Sequence, residues 1–337
     1  MYRRSTRPFL ISIVFAAVIC PLLLACDSTD KKPSAPPEKI TIAYSATPDA
    51  GLAEVAQMKG YYLQEGLDAV AKKYPLGKFA LQSVLDGTAD FATVAETPFA
   101  LAVMNGQKLS IIATIQTSKG NHVLIADKDK GILSPEDLIG KKIAATLGTS
   151  GEYFLDAFLV SRGISRKGIT IVDLKPDESR DKLISGAVDA ILALPSVVVQ
   201  VQGKMGDRAI IFDDKDIFTQ FFIIAAKQDF IQKNPDKVRK LLRALVRAEE
   251  FIKQKPAEAQ KIVAEFIGQD EASLGKIWAV NDFNVTLSQS MLLALEDLSR
   301  WAIRNRHTKA RAVPDYLSII YFDGLKSVKP EAVRILR

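Results

Sequence analysis

The sequence predicts an α/β fold built in two blocks, and three observations indicate it. Short apolar strands alternate with amphipathic helices up to about residue 224, and the chain after Asn234 is almost entirely helical. A similar strand-to-helix stretch also occurs twice, as DGTADFATVAETP at 86–98 and SGAVDAILALPS at 185–196. Strands alternating with helices indicate layers around largely parallel strands. We interpret the two similar stretches as one supersecondary unit used once in each block, because no shorter repeat period is present.

The elements of the first block follow from periodicity and from turn residues. KITIAYSATP reads as a strand that ends before Pro48, and AGLAEVAQMKGYYLQEGL reads as a helix closed near Gly60. LDAVAKKYP is a weakly patterned strand, and KFALQSVLDG is a short helix with Gly87 as a left-handed cap. DFATVA is a buried strand, after which Thr97 and Pro98 predict a helix N-cap and first position. LSIIATIQ and HVLIAD are further strands.

The second block begins near Asp127. SPED at 134–137 predicts a helix start with a capping box, and KKIAATLG predicts a strand. The next helix begins at Thr149, with Glu152 as the expected capping-box partner, and ITIVDL, DAILAL, AIIFDD and FFIIAA are strands. A long helix starts at Asn234-Pro235 with apolar residues at three-four spacing. Further helices are predicted at 257–267, 271–279, 288–305 and 313–323.

Composition and charge limit the function classes. The chain has 337 residues, of which 48% are hydrophobic and 25% charged, which is typical of a globular protein with about two domains' worth of core. The net charge of +6 includes Arg3, Arg4 and Arg7, so removal of the leader leaves about +3. No run of five or more Lys/Arg residues is present. We therefore predict no nucleic-acid binding.

The N-terminus has the pattern of an export signal. A basic head precedes the apolar run PFLISIVFAAVICPLLLAC, which predicts a secretory signal, the alternative being a transmembrane anchor. LLAC at 23–26 resembles the bacterial lipobox, which implies a signal peptide at 1–25 and a diacylglycerol-modified, palmitate-carrying Cys26. Asp27 resembles a signal for retention at the inner membrane. We expect residues 26–38 to form a flexible tether and the lipid to anchor the protein to the outer face of the cytoplasmic membrane, on the periplasmic side.

The sequence offers little material for catalysis. His occurs only at His122 and His307, and the mature chain would retain one Cys, which would be acylated. Zinc-protease, nucleophile-elbow, P-loop and dinucleotide-binding motifs are all missing from the sequence. We predict no catalytic residue, no metal site and no cofactor, and we expect the protein not to be an enzyme.

Polar residues occupy the loops between predicted strands and the helices that follow them. In open α/β sheets such loops form the ligand crevice, and helix N-termini add free N–H groups. The candidate ligand-binding residues are Tyr44, Ser45, Glu96, Thr97, Gln116, Thr149, Ser150, Gly151, Pro195 and Ser196. The alternative is that Thr97 and Thr149 cap their own helices and that Glu96 only interacts with a helix dipole.

Several stretches together resemble a known family. They are AEVAQMKGYYLQEGLDAV, LDGTADFATVAETP, LSPEDLIGKKIAATLGTSGEYFLDAFL, LISGAVDAILALPS and NPDKVRKLLRALVRAEEFI. From about residue 39 to 325 the chain resembles the extracytoplasmic substrate-binding proteins of ABC importers. The similar branch binds nitrate, aliphatic sulfonates, taurine and thiamine-precursor pyrimidines.

The resemblance implies a two-lobed periplasmic-binding-protein fold of type II-like topology. Each lobe would be a mixed, mainly parallel sheet flanked by helices, with two crossing segments as the hinge. Lobe 1 is expected at 39–125 and 224–337, and lobe 2 at 126–223. The family's ligand-binding positions correspond to the candidate residues above, and the region 278–283 is a further candidate. The implied partners are a small solute, an ABC permease and its ATPase, and we expect a monomer.

Glu96 narrows the expected ligand. The candidate turns contain no Arg or Lys, whereas a carboxylate at the site would repel a bare anion. We therefore expect a ligand with a cationic or hydrogen-bond-donating end, an amino-sulfonate or an aminopyrimidine, unless Glu96 turns away from the site. Two other functions stay open: a sensory or adhesive lipoprotein that uses the same fold, and an enzyme similar to the pyrimidine synthases of this fold family.

Overall fold

Most strands and helices lie within a few residues of their predicted positions, but the helix predicted at 313–323 is divided into Tyr316–Ile319 and Phe322–Val328. The computed structural model describes Met1 and residues 36–336, without the side chains of Pro195, Ser196, Ala272, Ser273 and Lys276. The predicted signal peptide, the lipidated Cys26 and most of the predicted tether lie outside the described residues. No helix of the described part is long and apolar enough to cross a membrane.

The elements fall into three consecutive segments. The first contains β1 (Glu38–Ser45), α1 (Gly51–Met58), α2 (Tyr61–Gln64), β2 (Leu67–Tyr74), α3 (Gly77–Leu85), β3 (Phe91–Ala95), α4 (Glu96–Met104) and β4 (Leu109–Lys119). The second contains β5 (Val123–Asp127), β6 (Lys142–Ala145), α5 (Ser150–Ser161), β7 (Thr170–Asp173), α6 (Pro176–Ile184), β8 (Ala190–Ala193), α7 (Pro195–Met205) and β9 (Ala209–Phe212). The third contains β10 (Thr219–Lys227), α8 (Gln228–Lys233), α9 (Pro235–Gln254), α10 (Pro256–Ile267), α11 (Glu271–Trp278), β11 (Asn281–Asp282), β12 (Leu287–Ser288), α12 (Gln289–Arg304), α13 (Tyr316–Ile319), α14 (Phe322–Val328) and β13 (Val333–Arg334).

The strands form two main sheets with the same internal order. The first sheet runs β2-β1-β3-β10-β4-β11, and the second runs β7-β6-β8-β5-β9. In the first sheet β1 is parallel to β2 and β3, while β10 is antiparallel to β3 and β4. In the second, β6 is parallel to β7 and β8, while β5 is antiparallel to β8 and β9. Both sheets are therefore mixed, with more antiparallel pairing than the helix–strand alternation predicts, because β10 and β5, the strands that follow the two crossings, run against both of their neighbours.

The chain crosses between the two sheets twice. Residues 120–122 lead from β4 to β5, and residues 213–218 lead from β9 back to β10. We call the half with the six-stranded sheet lobe 1 and the half with the five-stranded sheet lobe 2. The boundaries expected from the sequence, at 125/126 and 223/224, fall inside β5 and β10. The sequence of an apolar strand is compatible with either sheet. It therefore does not show at which residue a crossing segment ends.

The two similar sequence stretches occupy equivalent places in the two lobes. β3 and β8 are each third in the order of their sheet. Each is parallel to the neighbour on one side, β1 or β6, and antiparallel to the neighbour on the other side, β10 or β5, which follows a crossing segment. Each strand is preceded by a glycine in the left-handed region, with φ of 75° at Gly87 and 76° at Gly186. Such a backbone conformation favours glycine after a helix end, as α3 and α6 require.

The aspartate of each stretch makes the same contacts. The Asp90 carboxylate accepts a hydrogen bond from the Thr41 N–H of β1 at 2.7 Å, and the Asp90 N–H donates to the Thr41 carbonyl at 2.9 Å. In lobe 2 the Asp189 carboxylate accepts from the Lys142 N–H at 2.8 Å, and the Asp189 N–H donates to the Lys142 carbonyl at 2.9 Å. Each aspartate thus joins its strand to the adjacent parallel strand, β1 in lobe 1 and β6 in lobe 2, which confirms one unit used twice.

The helical C-terminal part belongs to the core of lobe 1. The apolar stripe of α9 is buried, as its three-four spacing predicts, and includes Val238, Leu241, Leu242, Leu245 and Ala248. These side chains belong to one hydrophobic cluster with those of α1 and the six-stranded sheet. Lobe 2 has two smaller clusters, one on each face of its sheet. The capping box predicted at Ser134 and Asp137 is also present.

Candidate functional site

A cavity of about 80 Å³ lies between the two lobes. Its lobe 1 wall consists of Ser45, Thr47, Asp49, Leu76, Gly77, Lys78, Ala95, Pro98, Gln220 and Phe222. Its lobe 2 wall consists of Thr146, Thr149, Ser150, Gly151, Pro176, Leu192, Ala193 and Leu194, and His122 lines it from the first crossing segment. The cavity therefore lies at the strand ends, where the sequence predicts the ligand crevice.

The N-termini of two helices from opposite lobes reach this cavity. α3 begins at the lining residue Gly77 and α5 at the lining residue Ser150, and no side chain caps either helix. The first N–H groups of a helix have no intrahelical partner, and the helix dipole places partial positive charge there. The Thr149 hydroxyl donates to the Thr146 carbonyl at 2.7 Å instead of capping α5, so the predicted capping box is not formed. The arrangement favours an anionic group between the two helices.

Lys78 adds a full positive charge to this part of the cavity. It is the second residue of α3, and its Nζ donates to the Leu147 carbonyl of lobe 2 at 2.6 Å. Lys78 was not predicted from the sequence, because it lies in the first turn of a helix and not in the loop before it. The sequence feature that could have indicated Lys78 is a lysine in the first turn of a helix that follows a strand.

Of the candidate residues, Ser45, Thr149, Ser150 and Gly151 line the cavity. An added Cβ at Gly151 would approach the Leu192 side chain to 2.7 Å, so the helix start packs closely against β8. Tyr44 is not among the lining residues; its hydroxyl donates to Gln57 at 3.1 Å within the core. Neighbouring residues of a strand point to opposite faces, which separates Tyr44 from Ser45.

Glu96 lies behind the cavity wall, at the contact between the lobes. It is fully buried and is not among the lining residues. Its Oε1 accepts hydrogen bonds from the hydroxyls of Thr97 at 3.0 Å and Ser150 at 3.1 Å, and its Oε2 accepts from the Phe221 N–H at 2.7 Å. Burial raises the pKa of Glu96 to about 7, although these donors oppose the increase. Glu96 thereby joins α4 of lobe 1 to α5 of lobe 2 and orients the lining hydroxyl of Ser150.

The remaining candidates have other surroundings. α4 begins at Glu96 with Ala95 as its N-cap, so Thr97 is not the cap that the sequence predicts. Gln116 is fully buried, and its amide donates to Asn281 of β11 outside the cavity. α7 begins at Pro195, directly after the lining residue Leu194. The structure describes the backbone of 195–196 but not the two side chains, so their role stays a prediction.

Four further residues line the cavity that were not predicted from the sequence: Thr47, Asp49, His122 and Gln220. Asp49 follows β1 in a 3-10 turn, and burial raises its pKa to about 6. Burial lowers the pKa of His122 to about 4, so its ring is neutral at pH 7. The imidazole stacks on Phe154 of α5 with ring centroids 5.9 Å apart.

The lobes meet a second time, away from the cavity. The Trp301 indole of α12 donates to an Asp156 carboxylate oxygen of α5 at 2.8 Å. Arg166 pairs with Asp156 and, at 2.7 Å, with Glu152. The His307 ring stacks on Trp301 with centroids 4.5 Å apart. This contact joins the two lobes together with that of Glu96 and with the hydrogen bond from Lys78 to Leu147.

A family model described as NMT1/THI5 like matches residues 48–259. The match spans more than half of the chain, and the chain therefore belongs to this family. The taurine-binding periplasmic protein of Escherichia coli is 26% identical over 219 residues, which are 63% of this chain and 65% of that protein. The riboflavin-binding protein RibY of Chloroflexus aurantiacus is 29% identical over 256 residues, which are 73% of this chain and 71% of that protein.

A solved structure shows the same fold. The alkanesulfonate-binding protein SsuA of Xanthomonas axonopodis pv. citri, bound to MOPS, superposes with a TM-score of 0.74 at 17% identity. The alignment covers 86% of this chain and 99% of that chain. The predicted α/β, two-lobed periplasmic-binding-protein fold is confirmed.

Proposed function

We propose that this member of the NMT1/THI5 like family is a solute-binding protein of an ABC-type importer. It captures a small polar organic solute with an oxyanion group between its lobes and delivers it to a permease that an ATPase drives. The observation that carries the proposal is the meeting of two uncapped helix N-termini, from α3 of lobe 1 and α5 of lobe 2, at one cavity.

The chemistry of the cavity supports an organic oxyanion. Lys78 and the N–H groups of the two helix starts supply positive charge and donors to an anionic end, and the hydroxyls of Thr149 and Ser150 line the same wall. Other parts of the lining are apolar, including Leu192 and Phe222. A solute with an oxyanion and a short carbon skeleton uses both kinds of surface.

The relatives support the same class of ligand. The proteins named above bind taurine, riboflavin and an alkanesulfonate according to their names, which favours binding over catalysis. We infer a sulfonate or a taurine-like compound as the solute; an aminopyrimidine, which the sequence also suggests, has no oxyanion group. The small cavity favours the first two over a flavin-sized molecule.

The first test is isothermal titration calorimetry of the purified protein with nitrate, taurine, alkanesulfonates and thiamine-precursor pyrimidines. We expect an organic oxyanion to bind and Lys78→Met to weaken its binding about tenfold or more, which corresponds to about 1.4 kcal/mol. Lys108→Met, at an exposed lysine outside the cavity, is the matched control and should leave the affinity unchanged. Failure of the whole panel to bind would contradict the proposal and favour a sensory or adhesive role.

The second part of the proposal concerns location. We infer export to the periplasmic side of the cytoplasmic membrane, anchorage through acylated Cys26 alone, and a monomer. Mass spectrometry of the N-terminal peptide should show a processed, acylated Cys26, and Cys26→Ser should release the protein from the membrane fraction. An unmodified Cys26 in the membrane-bound protein would contradict the anchor.

A further inference from the structure

The turn formed by residues 147–150, which leads from β6 into α5, belongs to the cavity wall in lobe 2. Two of its hydroxyl groups line the cavity, and the Lys78 Nζ of lobe 1 donates to the Leu147 carbonyl at 2.6 Å. Gly148 has a φ of 70°, a conformation that favours glycine, and an added Cβ there would approach the Lys78 Nζ to 3.4 Å. Lobe 1 therefore faces the turn closely on the cavity side, and the position of the turn depends on contacts from its other side.

Glu152, in the first turn of α5, holds the turn 147–150 from within lobe 2. It is fully buried and is not among the residues that line the cavity. Its Oε2 accepts a hydrogen bond from the Gly148 N–H at 2.7 Å, and its Oε1 accepts from the Arg166 guanidinium at 2.7 Å. The guanidinium pairs the buried negative charge, which would otherwise oppose an anion at the start of α5. Because hydrogen bonds to a charged acceptor are stronger than neutral ones, this bond fixes the backbone of the turn.

The same guanidinium connects Glu152 to the contact between the lobes. Arg166 also pairs with Asp156, which lies one helical turn further along α5. The other carboxylate oxygen of Asp156 accepts a hydrogen bond from the Trp301 indole of α12, in lobe 1, at 2.8 Å. Asp156 and Trp301 are only 7% and 8% exposed. A continuous chain of hydrogen bonds thus runs from Trp301 through two carboxylates and one guanidinium to the Gly148 N–H.

Further contacts of lobe 1 converge on this chain of hydrogen bonds. The His307 Nε2 lies 3.5 Å from Oε1 of Glu152, and the His307 ring stacks on Trp301 with centroids 4.5 Å apart. Tyr153 of α5 packs edge-on against Trp301 at 5.3 Å and against Phe218 of the second crossing segment at 5.2 Å. Movement of α12 away from α5 breaks several of these contacts together, because they share Trp301.

We propose that Glu152 is a positioning residue that couples the contact between α5 and α12 to the oxyanion-binding turn 147–150. While the helices are in contact, every group in the chain of hydrogen bonds has a partner, and such networks hold their members rigidly. When the lobes separate, Asp156 loses its donor from lobe 1, Glu152 is held less firmly, and the Gly148 N–H opens more often. The site then loosens as the lobes open, which favours release of the solute. This inference rests on the proposed binding function.

Hydrogen–deuterium exchange with mass spectrometry tests the coupling in the purified protein without added solute. Trp301→Phe removes the indole donor, retains an aromatic ring at the contact and changes no atom of lobe 2. We expect the amides of the peptide 146–151 to exchange about fivefold faster or more in this variant. Glu152→Ala should raise the same exchange at least about tenfold, because the Gly148 N–H loses its acceptor. Glu152→Gln keeps an acceptor oxygen and should have a smaller effect.

Two controls distinguish the coupling from a general loss of stability. Arg300→Met, next to Trp301, breaks ion pairs with Glu296 and Asp297 of the same helix and should leave the exchange of the peptide 146–151 unchanged. The peptide that contains β8 should exchange at the wild-type rate in Trp301→Phe, because a general destabilisation of lobe 2 would raise exchange in its central strands as well.

Unchanged exchange of the peptide 146–151 in a folded Trp301→Phe protein overturns the inference, and so does an equal rise in the peptide of β8. Either result leaves the proposed function standing. For a sulfonate that binds in the calorimetric panel, stopped-flow kinetics should show about fivefold faster dissociation from Trp301→Phe with little change in association. Equal dissociation rates also overturn the inference.

If no compound of the panel binds, the proposed function fails, and the exchange comparison shows separately whether Glu152 couples the contact to the turn. The Trp301→Phe comparison decides that question even if Glu152→Ala does not fold.

Discussion

The two copies of the Gly-x-x-Asp unit share their architecture and differ in where they end. In both copies a left-handed glycine precedes an aspartate. The aspartate hydrogen-bonds the adjacent parallel strand, β1 in lobe 1 and β6 in lobe 2. The lobe 1 copy ends in Glu96, a buried carboxylate that accepts three hydrogen bonds, one of them from lobe 2. The lobe 2 copy ends in Leu194, an apolar residue in the cavity wall.

The comparison distinguishes two structural roles. Some residues fix the position of a strand end at the cavity, and others determine which side chain follows that strand end. The shared glycine and aspartate deliver a strand end to the cleft in each lobe. The residue after the strand then either holds the lobes together, as Glu96 does, or forms a surface of the cavity, as Leu194 does.

The largest difference in the free energy of unfolding is expected between variants of Glu96 and variants of Leu194. Glu96→Ala leaves the Phe221 N–H and two hydroxyls without their acceptor, so we expect a loss of about 3 kcal/mol in the free energy of unfolding. Leu194→Ala removes a partly exposed side chain and should cost less than about 2 kcal/mol. Urea denaturation measures both. Equal losses would show that the endings do not differ in this way.

The contribution of Glu96 can be measured from the pH dependence of the free energy of unfolding. Its pKa is raised in the folded protein from the ordinary 4.5 to about 7, so the folded state binds an additional proton between these values. The resulting stabilisation is fully present below about pH 4.5 and is lost as the pH rises through about 7. The wild-type protein should therefore lose on the order of 1–3 kcal/mol relative to Glu96→Gln over this range.

Denaturation of both proteins at matched pH values gives this difference directly. The titrations of Asp49 and His122 are common to the two proteins and cancel in the comparison. A difference that stays constant from pH 4.5 to 7 would contradict the buried, proton-binding state of Glu96.

The two aspartates should be equivalent. Asp90→Ala and Asp189→Ala each remove the acceptor of one strand N–H, so each should cost about 1–2 kcal/mol of stability. Asp90→Asn and Asp189→Asn keep an acceptor oxygen and should cost less. Losses that differ strongly between the lobes would argue against a shared structural role.

The smallest effects are expected at the two glycines. Gly87→Ala and Gly186→Ala place a side chain in the left-handed region, at a cost of about 1 kcal/mol each. Gly203→Ala is the control, because this glycine lies inside α7 and an added Cβ there meets no atom within 4 Å. Alanine at that position should be neutral or stabilising by up to about 1 kcal/mol. Thermal unfolding ranks the three variants.

Much of the fold could be predicted because its signals are local. The alternation of strands and helices, the glycine and aspartate of the two units, and the apolar stripe of α9 each depend on residues close in the sequence. The direction of β5 and β10 could not be predicted, because it depends on which sheet each strand joins after a crossing. Thr97 was expected to cap α4 with Pro98 as its first residue, but the helix begins two residues earlier, at Glu96.

The position of the cavity could be predicted from the sequence, but the charged residues of its lining could not. Ser45, Thr149, Ser150 and Gly151 line the cavity because strand ends and helix starts meet there. Lys78 and Asp49, the charged residues of the lining, lie within a helix turn and a 3-10 turn. Their arrival at one cavity results from the packing of two lobes, and no spacing in the sequence expresses it.

A crystal structure of the protein with the tightest-binding sulfonate would show directly where the oxyanion group binds. Anomalous scattering locates the sulfonate sulfur without assumptions about the orientation of the solute. The account predicts this sulfur between the first turns of α3 and α5, within hydrogen-bonding reach of their N–H groups and beside Lys78. A sulfonate bound elsewhere, for example near Trp301 at the second contact between the lobes, with the cavity at Ser150 unoccupied, would contradict it.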